Sequence, residues 1–175
     1  MNIPSSRNPD QISSINPKQT SSINPARTSS INPARTSSIN PLRTSSINPA
    51  RTSSINPNRT SSINPFRTSS INPNHTSSID PNRTSYRNPY KTSNIDGYFI
   101  FPLDGKNIHY TVKANDEVLL LFDANNDWYG FIVATGGGNW NQFDLNLNWI
   151  AYWVLSGNGN YNIFDFETGW IAFTT

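Results

Sequence analysis

The feature that most constrains this chain is an eight-residue repeat. Thr-Ser-Ser-Ile-Asn-Pro-x-Arg recurs with little drift. Its Ile-Asn-Pro core starts at Ile15, Ile23, Ile31, Ile39, Ile47, Ile55, Ile63 and Ile71, then weakens at Ile79-Asp80-Pro81 and Arg87-Asn88-Pro89. A proline every eight residues excludes a continuous helix. One dependable hydrophobe per octad is too little for an octad to bury a core alone. A strict period with a fixed β-branched residue is nevertheless what stacked units need in order to meet in register. Thr-Ser-Ser-Ile suits a short strand, and Asn-Pro favours extended geometry followed by a turn. Each octad therefore reads as one strand and one corner. Because eight is even, every Ile falls on the same face.

A strand with a corner suits a three-sided β prism in which three octads, 24 residues, complete one circuit. The variable position after Pro agrees with this period: its large apolar members Leu42, Phe66 and Tyr90 are 24 apart. The expected shaft core is Ile15, Ile23, Ile31, Ile39, Ile47, Ile55, Ile63, Ile71 and Ile79. Two arrangements fit, a single coiled chain or three intertwined chains. The thin core favours three, which gather three Ile at each level and cover the strand edges.

Octapeptides that each turn one side of a triangular prism resemble the triple-stranded β-helical shafts of phage tail fibres and spikes. The resemblance covers about residues 7–96 and is architectural. Such octads carry a valine and a glycine two apart, whereas these carry Ile and Pro two apart and no glycine. The His-x-His metal signature of needle tips is also missing, since the histidines are His75 and His109. The resemblance implies a homotrimeric structural component of a virion or other extracellular particle, partnered by tail or baseplate proteins.

Composition divides the chain near Gly97. All 9 glycines lie at or beyond it, and all 5 tryptophans follow it. The expected organisation is an attachment segment at 1–12, a repeat shaft at 13–96 and an aromatic-rich β domain at 97–175. Charge divides with composition. Residues 1–96 carry 11 cations and 3 acids, 11 − 3 = +8, and residues 97–175 carry 2 cations and 8 acids, 2 − 8 = −6. Arg27, Arg35, Arg43, Arg51, Arg59, Arg67 and Arg83 form a basic stripe. It suits a cell-surface glycan or another polyanion, or else guanidinium groups that bond corner carbonyls while staying wet. With no cysteine, disulfide and Cys-zinc scaffolds are excluded. No secretory signal or membrane span is readable in the sequence.

Beyond Gly97 the period changes to 21. Phe122-Asp123, Phe143-Asp144 and Phe164-Asp165 recur at that spacing, as do Trp128, Trp149 and Trp170. The pattern predicts a β-meander or sandwich with strands at 98–102, 108–113, 117–123, 128–135, 140–145, 149–155, 161–166 and 169–174. The segment 149–155 is apolar on both faces, so both must be covered, by a second sheet or by sister chains. The fold class expected for the whole chain is thus all-β: an octad-repeat β-helical shaft followed by a small aromatic-rich domain.

No nucleophile, metal-ligand or phosphate-loop motif is present, so neither an enzyme nor a cofactor is expected. Trp140, Tyr161 and Trp153 are the candidate ligand-binding aromatics, with Trp140 and Tyr161 beside glycine-rich turns. Trp128, Trp149 and Trp170 read as equivalent core positions. Three functions follow: a structural fibre or spike with a trimerisation or receptor-binding tip, a sugar-binding adhesin on a stalk, or a disordered basic tether carrying a β domain.

Overall fold

A computed structural model describes residues 8, 9, 11–83, 97–157 and 159–175. Eight antiparallel strands form a closed barrel in sequence order: β1 Phe99–Pro102, β2 His109–Lys113, β3 Val118–Phe122, β4 Trp128–Ala134, β5 Trp140–Asp144, β6 Trp149–Gly157, β7 Asn160–Phe164 and β8 Trp170–Thr174. All eight expected strands are present. The meander closes because β8 pairs with β1, with Phe101 opposite Phe173. Closure removes the free sheet edges.

The 21-residue period holds four copies rather than the three that Phe-Asp and Trp reveal. Stacked aromatic pairs join Tyr110 to Phe122, Phe131 to Phe143, Tyr152 to Phe164 and Phe173 to Phe101, with ring centroids 5.4–5.8 Å apart. The fourth pair is supplied by the first and last strands. A left-handed residue stands in each matching turn: Gly105, Asn126, Leu147 and Thr168, at φ of 74°, 67°, 68° and 66°.

Each of β4, β6 and β8 begins with a bulge. Phe122 faces Trp128 while Leu121 faces Gly130, so Tyr129 is the extra residue; Ile150 and Ile171 repeat this. A bulge disrupts the ladder locally. The indole N–H of Trp128 donates to the Gly130 carbonyl at 2.8 Å, and Trp149 and Trp170 do the same to Ala151 and Ala172. This explains why tryptophan recurs every 21 residues. Gly130 also has a steric role, because a Cβ there would stand 2.5 Å from the Phe143 carbonyl oxygen.

The octads build no strands among the described residues. Each Ser-Ser-Ile is one turn of 3-10 helix, nine of them from Ser13–Ile15 to Ser77–Ile79. The reason lies in the Asn-Pro-x-Arg turn that follows. Asn24 is extended at φ −103°, ψ 111°, as a residue before proline prefers. Its carbonyl accepts from the Arg27 and Thr28 N–H groups at 3.0 and 2.9 Å, and its Oδ1 accepts from Ala26 N–H at 2.9 Å. Proline second and asparagine first is the preferred chemistry of such a turn. Backbone bonds are thereby used up within the octad, and no ladder is left to pair octads as a prism.

Side chains link the octads instead. Asn24 Nδ2 donates to the carbonyl of Pro17, seven residues earlier, at 2.8 Å, and the bond recurs from Asn32 to Asn72. Thr20 Oγ1 donates to Ser13 O at 2.7 Å, and the threonines through Thr76 repeat it.

The repeat is thus a belt against the outside of the barrel, not a shaft ahead of it. Two apolar layers show this. One is internal to the barrel and includes Ile100, Leu121, Ile132, Trp153 and Ile163; Tyr98 meets Trp153 of the non-adjacent β6 at 6.4 Å. The other joins Ile47, Ile55, Ile63 and Ile71 to the outward faces of Phe99, Tyr110, Leu120, Phe131 and Phe143. Ile31 packs with Tyr152, Val154 and Phe164. The Ile residues do point to one core, as their period required, but that core is the barrel's outer face. Ile15, Ile39, Ile47, Ile55, Ile63 and Ile71 are buried, while Ile23, Ile31 and Ile79 are half-buried. The second face of the doubly apolar strands is covered by the chain's own octads, which removes the need for sister chains to cover it.

Belt and barrel run in opposite senses at a fixed ratio. Asn162 Nδ2 on β7 donates to Ile15 O, and Asn141 Nδ2 on β5 donates to Ile39 O, at 2.9 and 3.0 Å. That is 39 − 15 = 24 belt residues for 162 − 141 = 21 barrel residues. Asn58 and Asn82, again 24 apart, donate to the carbonyls of Leu145 and Ala124, again 21 apart. Three octads therefore span one pair of strands. The spacing of Leu42 and Phe66 has the same origin. Phe66 meets Trp128 edge-on at 5.4 Å, Leu42 shares a groove with Trp149, and Lys18 lies over Trp170 at 5.8 Å. Tyr90 and the expected boundary near 96 lie outside the described residues.

Candidate functional site at the barrel mouth

One end of the barrel carries the loops after β1, β3, β5 and β7. Asp123 Oδ1 accepts from the N–H groups of Asn125 and Asp127, Asp144 from Asn146 and Asn148, and Asp165 from Glu167 and Gly169, at 2.7–2.9 Å. These carboxylates order their own turns. Among the described residues no cluster of His, Cys, Asp and Glu is arranged to hold a metal ion.

A cavity of about 510 Å³ opens at this end, lined by Ile100, Pro102, Leu103, Asp104, His109, Tyr129, Gln142, Ile163, Trp170, Ile171 and Ala172. The repeat explains why there is room. Gly130, Ala151 and Ala172 occupy one position of the 21-residue unit and are small. The fourth copy of that position is His109, since 130 − 21 = 109. One imidazole thus enters a layer otherwise left open. It meets the Tyr129 ring edge-on at 5.0 Å. Burial lowers the His109 pKa, and Asp123 and Asp104 oppose that only in part, so the ring is neutral at neutral pH and offers one donor and one acceptor. Gln142 Oε1 accepts from Trp153 Nε1 at 2.8 Å. At the rim, Lys106 Nζ pairs with Asp104 at 2.8 Å, and its hydrogen bond holds the Asp104 carboxyl below the usual range.

The aromatics expected to bind ligand lie elsewhere in the barrel. Trp153 is fully buried, Tyr161 is buried and Trp140 is half-buried. Trp153 and Tyr161 are 6.0 Å apart, and Tyr98 lies edge-on to both. Burial and the neighbouring Tyr161 raise the Tyr98 hydroxyl to about 12. None of Trp140, Trp153 and Tyr161 lines the mouth cavity; Trp153 reaches it only through Gln142. Trp128, Trp149 and Trp170 sit on the outer side against belt residues Phe66, Leu42 and Lys18, and Trp170 also borders the mouth cavity.

No motif in the sequence marks His109, Tyr129 or Gln142 as site residues. The available signal was a departure from the repeat: one imidazole where three copies have glycine or alanine. The stripe residues Arg27, Arg35, Arg43, Arg51, Arg59 and Arg67 are exposed, and Arg83 pairs with Asp80 at 3.4 Å. Arg27, Arg43, Arg51 and Arg67 reach serine hydroxyls at 3.3–3.4 Å rather than corner carbonyls. No helix among the described residues is long and apolar enough to cross a membrane. Neither a family model, nor a curated protein, nor a solved structure matches the chain.

Proposed function

We propose that the protein is a non-enzymatic sugar-binding module that takes a ligand of mono- to disaccharide size in the barrel mouth. The observation that carries this reading is the 510 Å³ cavity, with apolar walls at Ile100, Pro102 and Ile163 and an imidazole, a carboxamide and a carboxylate at His109, Gln142 and Asp104. Barrel mouths are preferred ligand sites, and a few placed polar groups on an apolar wall fix orientation. A pyranose has matching chemistry: apolar C–H groups for Tyr129 and the aliphatic walls, and hydroxyls for the polar groups. The test is a glycan array probed with the wild type, with His109→Leu and with Ala172→Phe, which fills the cavity. Binding that is lost in both variants supports the mouth site. Binding that survives Ala172→Phe contradicts it.

A second reading keeps the chain as a structural fibre or spike component of a phage-like particle, working as a homotrimer with tail partners. It is favoured by the apolar surface left on the belt and its rim, where Leu42 and Phe66 are 66% and 75% exposed. Sedimentation equilibrium separates the two: three times the chain mass of 19.6 kDa supports the fibre reading, and a monomer counts against it.

A further inference from the structure

We propose that the outward row of belt arginines is a binding track for a flexible anionic polysaccharide. Arg27, Arg35, Arg43, Arg51, Arg59 and Arg67 occupy one position of one repeated turn, and all six are exposed. The turns are near-identical, with the asparagine before each proline at φ −93° to −106° from Asn24 to Asn64, so the guanidinium groups fall on one line along the belt. None of the six has an ion pair among the described residues. From residue 11 to residue 79 the sequence holds no acid at all. The negative charge of the chain is instead on the barrel, much of it in the mouth-end turns at Asp104, Asp123, Asp144, Asp165 and Glu167. The belt touches the Asp144 turn at Asn58, yet none of these acids is paired with a row arginine among the described residues, and the row keeps its positive charge.

The shape of the row selects the partner. It follows the curved outside of the barrel, so a rigid duplex, which resists bending over such a distance, meets only a short arc. A single-stranded nucleic acid bends easily, but its affinity depends on aromatic side chains on which bases stack. Among the six octads Ser21 to Thr68, the row is flanked by Ser and Thr hydroxyls, with Phe66 the one aromatic residue. Arginine forks pair with sulfate, phosphate or uronate groups, and the exposed serines Ser30, Ser38, Ser46, Ser54 and Ser62 add hydrogen bonds suited to sugar hydroxyls.

The experiment measures binding of dextran sulfate, polygalacturonate and a dT oligonucleotide to the full chain by calorimetry at about 50 mM NaCl. The expected result is that dextran sulfate or polygalacturonate binds more tightly than the oligonucleotide, with affinity falling steeply as salt rises. Changing all six arginines to Gln should cost about 100-fold or more with an unchanged circular dichroism spectrum. Arg43→Gln/Arg51→Gln should cost more than Lys106→Gln/Lys113→Gln, which removes the same charge away from the row. Equal losses in the two double variants would reduce the effect to net charge and overturn the track. So would the absence of polysaccharide binding at low salt. Tighter binding of the oligonucleotide would overturn the partner class.

Discussion

Removing one belt isoleucine should unfold the barrel more easily, and the chain carries its own reporter for this. All five tryptophans, Trp128, Trp140, Trp149, Trp153 and Trp170, lie in the barrel, so tryptophan fluorescence follows barrel unfolding and, through Trp128 beneath Phe66 and Trp170 beneath Lys18, release of the belt. Ile55 is 2% exposed and packs into the cluster that contains Phe99, Tyr110, Leu120 and Phe131. Ile55→Ala removes buried carbons and leaves a cavity between belt and barrel, which costs about 2–5 kcal/mol. With a urea slope of roughly 2–3 kcal/mol per molar, the fluorescence midpoint should fall by about 1–2 M. Ile23→Ala, at a half-buried site, should cost clearly less. Far-ultraviolet dichroism should report the same midpoint, because belt and barrel unfold as one unit. A fluorescence transition that stays in place in Ile55→Ala would refute the reasoning, since the octads would then not contribute to the barrel's core.

Two further substitutions should stabilise the protein. Asp80 occupies the asparagine position of its octad and is buried; a carboxylate cannot donate to the Pro73 carbonyl as Asn72 donates to Pro65 at 2.9 Å. Asp80→Asn should gain about 1 kcal/mol in urea denaturation despite losing the Arg83 pair. The Tyr152 hydroxyl is buried without a partner among the described residues, whereas Tyr110 in the equivalent place donates to Asn126 Oδ1 at 2.6 Å, sixteen residues on. Thr168 stands sixteen after Tyr152 at φ 66°, a conformation easier for Asn than for a β-branched residue, so Thr168→Asn should gain about 1–2 kcal/mol. The pH dependence follows from His109, whose folded pKa is depressed by burial. Near and below the unfolded value of about 6.5, the unfolded chain takes up a proton that the folded chain refuses, so stability falls as pH drops from there toward the folded value. Thermal melts of the wild type and His109→Gln between about pH 7 and 5 should show this loss flattened in the variant.

The eight strands were legible because they are bounded by Gly, Asn and Asp turns and their aromatic positions repeat, but the expectation of a meander or sandwich did not include closure into a barrel. The 21-residue unit even encoded closure, but only Tyr110, Phe101 and Phe173 complete the fourth copy, and its Trp and Phe-Asp marks are absent. The octad period and the burial of Ile were also legible. The local geometry was not. Ser-Ser-Ile carries a β-branched residue and suits a strand, yet the Asn-Pro-x-Arg turn takes up the local backbone bonds and leaves a 3-10 turn. The 24-residue column in the sequence suggests one circuit of a prism, whereas it matches 24 belt residues to 21 barrel residues. That match was hidden because each period looks complete within its own half. The mouth was not legible for a different reason. His109, Tyr129 and Gln142 are brought together only by barrel closure, and Trp140, Trp153 and Tyr161 drew attention by residue type although they fill the interior.

The central claim is that the octads wrap the barrel of their own chain, and small-angle X-ray scattering at low concentration tests it most directly. A belt packed on the barrel predicts a compact particle with a radius of gyration of about 16 Å per monomer and a mass of 19.6 kDa. A radius well beyond about 25 Å at that mass, from a free tether or a projecting shaft, would contradict it.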